Sequence, residues 1–178
     1  MIRTLVLALA IATSGPALAA PSDFHPGPVI PAFGKVATVR SDMPLPADAK
    51  WKHAFDVTDG APATLNKGIE SAARFVNMMG ENGVRGDRLK VAVVLHGPAV
   101  FDVTNAARYK AKYPNADNPN AALVRALLDA GVDIWVCGQS ASAQDVANAD
   151  LLPGVKMALS AITAHAELQR QGYSLNPF

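Results

Sequence analysis

Residues Leu89–Leu95 read LKVAVVL, a run of seven residues in which only Lys90 is charged. A short and nearly continuous apolar run is typical of a β-strand that is covered on both faces. Strands of this kind occur in parallel sheets, where crossover helices cover both faces. The run therefore predicts a parallel strand in the interior of an α/β protein.

Segments of strand and helix character alternate on both sides of this run. The predicted strands are Trp51–Val57, Leu89–Leu95, 132–136, 155–159 and 173–175. The predicted helices are 65–79, 121–130, 141–149 and 161–171, with Thr64, Asn120, Ser140 or Ser142, and Ser160 as their N-caps. Strands that alternate with helices form βαβ units, so the sequence predicts an α/β fold with a mainly parallel sheet.

The first twenty residues have the order of features of a secretory signal peptide. Arg3 provides the positive charge, residues 5–12 are apolar, and Ala17-Leu18-Ala19 is a small-residue cleavage site. We predict cleavage after Ala19 or one residue later, and a periplasmic or secreted protein; the alternative is a buried N-terminal helix. No later apolar stretch approaches the ~18 residues of a transmembrane helix, so no membrane association is expected after cleavage.

Residues 21–50 are predicted to form an irregular arm before a domain at 51–178. Six prolines lie between Pro21 and Pro46, and the only strand expected there is a short one at 36–39. We find no internal repeat. The domain is long enough for a single hydrophobic core.

The charge of the chain argues against nucleic acid as a partner. The full sequence has 16 Lys and Arg and 15 Asp and Glu, and the mature chain would lose Arg3, which leaves a formal charge near zero. A nucleic-acid-binding domain usually carries a basic patch. A basic amphipathic helix, which would indicate a membrane surface, is also absent from the sequence.

Cys137 is the only cysteine, so an internal disulfide is excluded. A free thiol in an oxidising compartment has to be buried or used. Cys137 directly follows the strand VDIWV and precedes a predicted helix, whose amino end would stabilise a thiolate and lower the pKa of the thiol. The sequence leaves two interpretations open: a nucleophilic or sulfur-carrying residue, and a small buried apolar residue.

His96 follows the strand LKVAVVL as Cys137 follows VDIWV. Because functional crevices of open α/β sheets lie at the carboxyl ends of the strands, both residues are candidates for one site. His96 could orient a ligand or act as base for the thiol, or it could be satisfied by backbone groups in a turn. Neighbouring residues are predicted to line the site: Gly97, Gly138, which would let a substrate approach closely, Gln139 and Ser140.

Asn105, Asn118 and Asn120 lie in the long connection after His96. They could line a pocket, or they could be caps and turn residues. Motifs for phosphate binding and for a nucleophilic serine are missing from the sequence, and the histidines lack metal-ligand spacing. We therefore predict neither a metal nor a cofactor.

Three stretches resemble the DsrE/DsrF-like family: VAVVLHGP at 91–98, NAALVRALLDAGVDIWVCGQS at 120–140, and LPGVKMALS at 152–160. The resemblance implies a three-layer α/β/α fold with a mostly parallel sheet of about five strands. It also implies trimers or hexamers. In the sulfur-relay members a cysteine after a central strand carries persulfide sulfur, and Cys137 matches that position. His96 matches the HGP pattern of simpler members.

Two functions follow as hypotheses. In the first, the protein is a periplasmic sulfur carrier or relay protein that holds sulfur on Cys137, with a sulfur donor or acceptor protein as partner. In the second, it is a non-enzymatic oligomeric module that binds a small ligand or a protein segment. Whether the protein is an enzyme of the sulfurtransferase type stays open.

Overall fold

The computed structural model describes residues 23–46 and 48–176. The predicted signal peptide at 1–20 lies outside the described residues. In the described part of the chain, no helix is both long and apolar enough to cross a membrane.

Within the described residues, five parallel strands form one sheet in the order β4-β3-β2-β1-β5. The strands are β1 (Trp51–Val57), β2 (Leu89–Leu95), β3 (Asp133–Cys137), β4 (Lys156–Ala158) and β5 (Ser174–Asn176). The predicted α/β class is thus confirmed, and the predicted bounds of β1 and β2 agree with the structure. The other three strands begin one residue later than predicted.

Helices cover both faces of the sheet and make it the middle of three layers. The helices are α1 (Lys67–Glu81), α2 (Ala106–Lys112), α3 (Ala121–Asp129), α4 (Gly138–Ala143) and α5 (Ala161–Arg170). The larger core lies between the sheet and the pair α1 and α3. A smaller apolar cluster lies on the opposite face beneath α5 and includes Ala54, Val94 and Cys137.

The side-chain capping of α1 and of α3 differs from the prediction. Asn66, not Thr64, caps α1, and its side-chain oxygen accepts hydrogen bonds from the N–H groups of Gly68 and Ile69. Asn120 is the N-cap residue of α3 as predicted, but its side chain makes no capping hydrogen bond to that helix. Its side chain instead accepts from the N–H of Asn66 at 2.7 Å and so ties α3 to the start of α1. An asparagine can satisfy distant backbone groups as well as local ones, and sequence alone does not separate the two cases.

Helix α4 begins three residues earlier than predicted and ends at Ala143 rather than 149. The N-cap is Cys137, whose sulfur accepts from the N–H of Ser140, instead of a Ser140 or Ser142 hydroxyl. Hydroxyls and amides are the usual caps, which is why the sequence pointed to the serines. The thiol therefore lies directly at the start of α4.

The connection after His96 is more ordered than the sequence indicated. A 3₁₀ helix runs from Gly97–Val103 and α2 follows, with Asn105 as its N-cap. The 3₁₀ helix buries Val100, Phe101 and Val103 in the larger core. Its short length and lack of a repeating apolar pattern concealed it from the periodicity argument.

The arm before the sheet packs on α1. Asn77 of α1 is fully buried and accepts hydrogen bonds from the N–H groups of Val29 and Ile30. Its amide nitrogen donates to the carbonyl oxygens of Ile30, Phe33 and Gly34. The predicted strand at 36–39 is reduced to one bridge, in which Val36 pairs with His25.

Candidate functional site

Three polar side chains lie at the edge of the sheet where β1, β2 and β3 end. Asp56 lies two residues after Ala54 on β1, and Cys137 lies two residues after Trp135 on β3. Residues two apart on a strand share one face, so both side chains are on the face that α5 covers. His96 directly follows β2 and contacts Asp56. The predicted site at the carboxyl ends of the strands therefore has a defined face of the sheet.

The strand register brings His96 beside Cys137. Leu95 pairs with Val136, so the next residues on the two strands are His96 and Cys137. His96 keeps an extended backbone (φ −145°, ψ 179°), and its N–H donates to the carbonyl of Val57 at 3.0 Å. Neighbouring strands are about 4.8 Å apart, so the two side chains share one edge of the sheet.

The Cys137 thiol is buried in the cluster beneath α5, with 5% of the residue exposed. Its sulfur accepts a hydrogen bond from the N–H of Ser140 at 3.4 Å. Burial alone would raise the pKa of the thiol, but hydrogen bonds from the Ser140 hydroxyl and from the N–H groups of Ser140, Ala161 and Gln139 outweigh it. The pKa of Cys137 is consequently below its ordinary value, because the donors stabilise the thiolate.

Gly97 and Ser140 connect the ends of β2 and β3. The N–H of Gly97 donates to the Ser140 hydroxyl oxygen at 3.1 Å, and the Gln144 side chain donates to the Gly97 carbonyl at 2.8 Å. Gly97 has a φ of +53°, a conformation that glycine adopts without strain. Gly97 and Ser140 therefore stabilise the backbone at the edge of the site.

Asp56 joins two histidines. Nε2 of His165, on α5, lies 2.7 Å from Oδ1 of Asp56. Nε2 of His96 lies 3.2 Å from the same carboxylate. Among the described residues, no hydrogen bond joins His96 directly to Cys137, so the predicted Cys–His pair is one of neighbouring side chains.

This histidine–aspartate cluster is not arranged as a metal site. Within residues 23–46 and 48–176, no group of three or more His, Cys, Asp or Glu side chains could hold a metal ion. Both imidazoles point their Nε2 atoms at one carboxylate rather than at a common open point. The cluster is therefore suited to fixing which nitrogen of each imidazole carries a hydrogen and how each ring is oriented.

Gly138 and Gln139 flank the thiol on α4. A Cβ atom on Gly138 would lie 2.6 Å from the carbonyl oxygen of Ala158, so β4 requires a glycine there. The close approach of a substrate to Gly138 stays a prediction. Gln139 is exposed, and its amide donates to the carbonyl of Leu159 at 3.3 Å.

The three asparagines after His96 bind the protein's own backbone. Asn105 caps α2 and donates to the carbonyl of Ala149 at 3.1 Å. Asn118 donates to two carbonyls of the connection, and Asn120 donates to that of Thr64. A ligand contact by Asn105 stays a prediction, since its side chain already has these partners.

Sequence reasoning missed Asp56 and His165. Asp56 lies next to the last residue of β1, in phase with buried Ala54. His165 lies one helical turn from Ala161 and Leu168, which pack inward. Polar residues at positions where the pattern demands apolar ones were the available signal. Because 109 residues separate the pair, nothing local in the sequence connects them.

A cavity of about 590 Å³ opens beside Asp56. It lies between the loop after β1 and the amino end of α1, and its lining includes Thr58, Asn66, Lys67 and Pro98. Cys137 and His96 are not among its lining residues. Asp56 is thus shared by the cavity and the histidine cluster.

The chain is similar to known proteins over the part that contains this site. The model of the DsrE/DsrF-like family matches residues 52–177. MTH1491 of Methanobacterium thermoautotrophicum, described as a protein of unknown function, aligns with 18% identity and a TM-score of 0.50, covering 74% of this chain and all of that one. The E. coli ychN protein aligns with 12% identity and a TM-score of 0.48, covering 71% of this chain and 99% of that one. No curated protein has significant similarity to the chain.

Proposed function

Because the chain belongs to the DsrE/DsrF-like family, we propose that it is a sulfur carrier that holds sulfur on Cys137 as a persulfide. The family is known for sulfur relay, and Cys137 is the only thiol of the chain. The observation that carries the proposal is the hydrogen bond that the N–H of Ser140 donates to the Cys137 sulfur at 3.4 Å, at the start of α4. Burial raises the pKa of this thiol, but the donors from Ser140, Ala161 and Gln139 lower it below its ordinary value. Thiolate is the form of cysteine that attacks sulfur.

The transfer conserves atoms and electrons. The Cys137 thiolate attacks the outer sulfur of a donor persulfide, R–S–SH, and a new S–S bond forms as the donor's S–S bond breaks. The donor leaves as the thiolate R–S⁻, and the hydrogen stays on the transferred sulfur. An acceptor thiolate then attacks that outer sulfur and releases the Cys137 thiolate again.

We further propose export and self-association. The order of features in residues 1–20 supports a periplasmic or secreted location, where the donor or acceptor would be a protein or a small thiol. Family resemblance supports a trimer or hexamer. The exposed apolar side chains of Leu159 (73% exposed) and Ile162 (82% exposed) near the thiol suit contact with another protein surface. Light scattering on the processed protein tests the assembly, and a monomer at micromolar concentration contradicts it.

A binding module is the second candidate, and the burial of Cys137 favours it. With 5% of the residue exposed, the thiol is reached only if α5 or the loop before it moves. In that case a ligand would bind in the cavity beside Asp56 without covalent chemistry, and binding would survive the substitution Cys137→Ser.

Intact mass distinguishes the two functions. The processed protein is incubated with a polysulfide donor and weighed before and after treatment with a reductant. We expect the gain of one sulfur on the wild type, its loss on reduction, and no gain on Cys137→Ser. A folded wild-type sample that gains no sulfur refutes the carrier and leaves the binding module.

A further inference from the structure

The carboxylate of Asp56 fixes the protons of two imidazole rings. Its Oδ1 lies 2.7 Å from Nε2 of His165 and 3.2 Å from Nε2 of His96. An ionised carboxylate can only accept hydrogen bonds, so each Nε2 must carry a hydrogen. In the neutral rings Nδ1 is therefore the nitrogen with a free electron pair.

His165 serves to hold the carboxylate. Its ring is mostly buried, and no group in the described part of the chain forms a hydrogen bond with its buried Nδ1. The only hydrogen bond that the ring makes is therefore the one to Asp56 among the described residues. The short bond from His165 keeps Asp56 from turning away from His96.

His96 has the more accessible ring of the two. Its side chain is 31% exposed, against 14% for His165, and its Nε2 is occupied by Asp56. The register places its backbone beside that of Cys137, and both side chains lie on the α5 face. Nδ1 of His96 is consequently the available base at the edge that holds the thiol.

We propose that Asp56 is a positioning residue that holds His96 in the tautomer and orientation in which Nδ1 exchanges a proton with the Cys137 thiol. The sulfur-transfer step of this inference rests on the proposed function, whereas the proton exchange between His96 and Cys137 does not. In that reaction Nδ1 takes the thiol proton, the thiolate attacks the outer sulfur of the donor, and the imidazolium returns the proton to the departing thiolate. The net change is Cys–SH plus R–S–SH to Cys–S–SH plus R–SH.

The titratable groups at this edge come from three strands and one helix. They are Asp56 from β1, His96 after β2, Cys137 from β3 and His165 from α5. If Nδ1 of His96 accepts the thiol proton, the pH profile of thiol reactivity depends on both groups.

The first test is alkylation of Cys137 by iodoacetamide from pH 5 to pH 10, which needs no sulfur donor. We expect Asp56→Asn to lower the rate near pH 7 by roughly tenfold and to change the acid limb of the profile. Asp133→Asn makes the same charge change on an exposed carboxylate at the other end of β3 and should leave the profile unaltered. Identical profiles for the two variants would overturn the proposal.

A double-mutant cycle separates positioning from a general structural effect. If Asp56 acts through His96, adding Asp56→Asn to His96→Gln should lower the rate no further. Additive losses would show that the two residues act independently and would overturn the assignment. Should Asp56→Asn fail to fold, the loss of the acid limb in His96→Gln alone tests the base, and an unchanged limb refutes it.

Sulfur loading of the same variants is measured last, by intact mass. A wild type that gains sulfur while Asp56→Asn loads at the same rate contradicts the positioning role and keeps the carrier. A wild type that gains none, with the alkylation result as expected, refutes the carrier and keeps the proton exchange between His96 and Cys137.

Discussion

The backbone N–H of Gly97 donates a hydrogen bond to the hydroxyl oxygen of Ser140 at 3.1 Å. The same hydroxyl donates to the sulfur of Cys137, and the N–H of Ser140 lies 3.4 Å from that sulfur. One serine thus links the residue after His96 to the thiol. Because the N–H of Gly97 occupies an acceptor position of this hydroxyl, the hydroxyl hydrogen stays available to donate to the sulfur.

Ser140→Ala should make Cys137 less reactive at neutral pH. The change removes a donor that lowers the pKa of the thiol, while burial continues to raise it. A higher pKa means less thiolate below that pKa, so the alkylation rate at pH 7 should fall by about threefold to tenfold. At a pH above both pKa values the two rates should converge. Ser142→Ala, an exposed serine on the same helix, is the control; equal rates for the two variants at pH 7 would contradict the role of Ser140.

Asp102 should make the stability of the protein depend on pH. Burial raises the pKa of this carboxyl from 3.8 to about 6, although hydrogen bonds from Asn66 and Asn120 oppose the shift. The folded state therefore binds the proton more tightly than the unfolded state. The resulting stability is fully present below pH 4 and is lost as the pH rises through 6, and it amounts to about 3 kcal/mol.

Asp102→Asn removes this dependence. Relative to the wild type, the free energy of unfolding of the variant should rise by roughly 3 kcal/mol between pH 4 and pH 8. Urea titrations at both pH values measure the difference, and Asp129→Asn, on the exposed side of α3, is the control. A difference that stays constant with pH would show that Asp102 keeps an ordinary affinity for protons.

Asn77→Ala should detach the arm from α1. The buried amide has two N–H donors and three carbonyl acceptors as partners in the arm, and truncation leaves these groups unsatisfied. We expect a loss of about 3 kcal/mol in the free energy of unfolding, and faster proteolysis between residues 23 and 46. Asn82→Ala, at the exposed end of the same helix, should cost less than about 1 kcal/mol. Equal losses for the two would contradict the assignment.

Gly138→Ala should destabilise the site without removing a functional group. The new methyl group would meet the carbonyl oxygen of Ala158 at 2.6 Å, so β4 must move away from β3. We expect a loss of about 1–3 kcal/mol, measured by urea unfolding. Gln139→Ala changes the next, exposed side chain and should be nearly neutral. A stable Gly138→Ala protein would mean that the end of β4 yields at little cost.

The apolar pattern predicted the sheet because a strand that is buried on both faces has an almost continuous apolar sequence. LKVAVVL has no polar residue after Lys90, and the structure buries Val91 to Leu95 completely or nearly so. Helix starts were less predictable, since a cap depends on geometry that a list of favoured residue types does not contain. Cys137 caps α4 with its sulfur, while two serines of better propensity follow it.

The site could be predicted only in part for a related reason. Cys137 and His96 are predictable because each directly follows an apolar run, and the strand ends of a parallel sheet share one edge. Asp56 also lies near the end of a strand, but a single aspartate in an alternating pattern resembles an ordinary surface residue. His165 lies on α5, 109 residues after Asp56 in the chain, and only the packing of α5 on the sheet brings the two together.

The attachment of the arm has a consequence for the order in which the protein assembles. The arm's partners on Asn77 lie 43 to 48 residues away along the chain. A chain synthesised from its amino terminus therefore carries an undocked arm until α1 has followed it, and docking closes a loop of that length at an entropic cost. The stretch nearest the predicted signal peptide thus gains its partners late. A translocation machinery that threads extended polypeptide would therefore meet the arm before it has docked on α1.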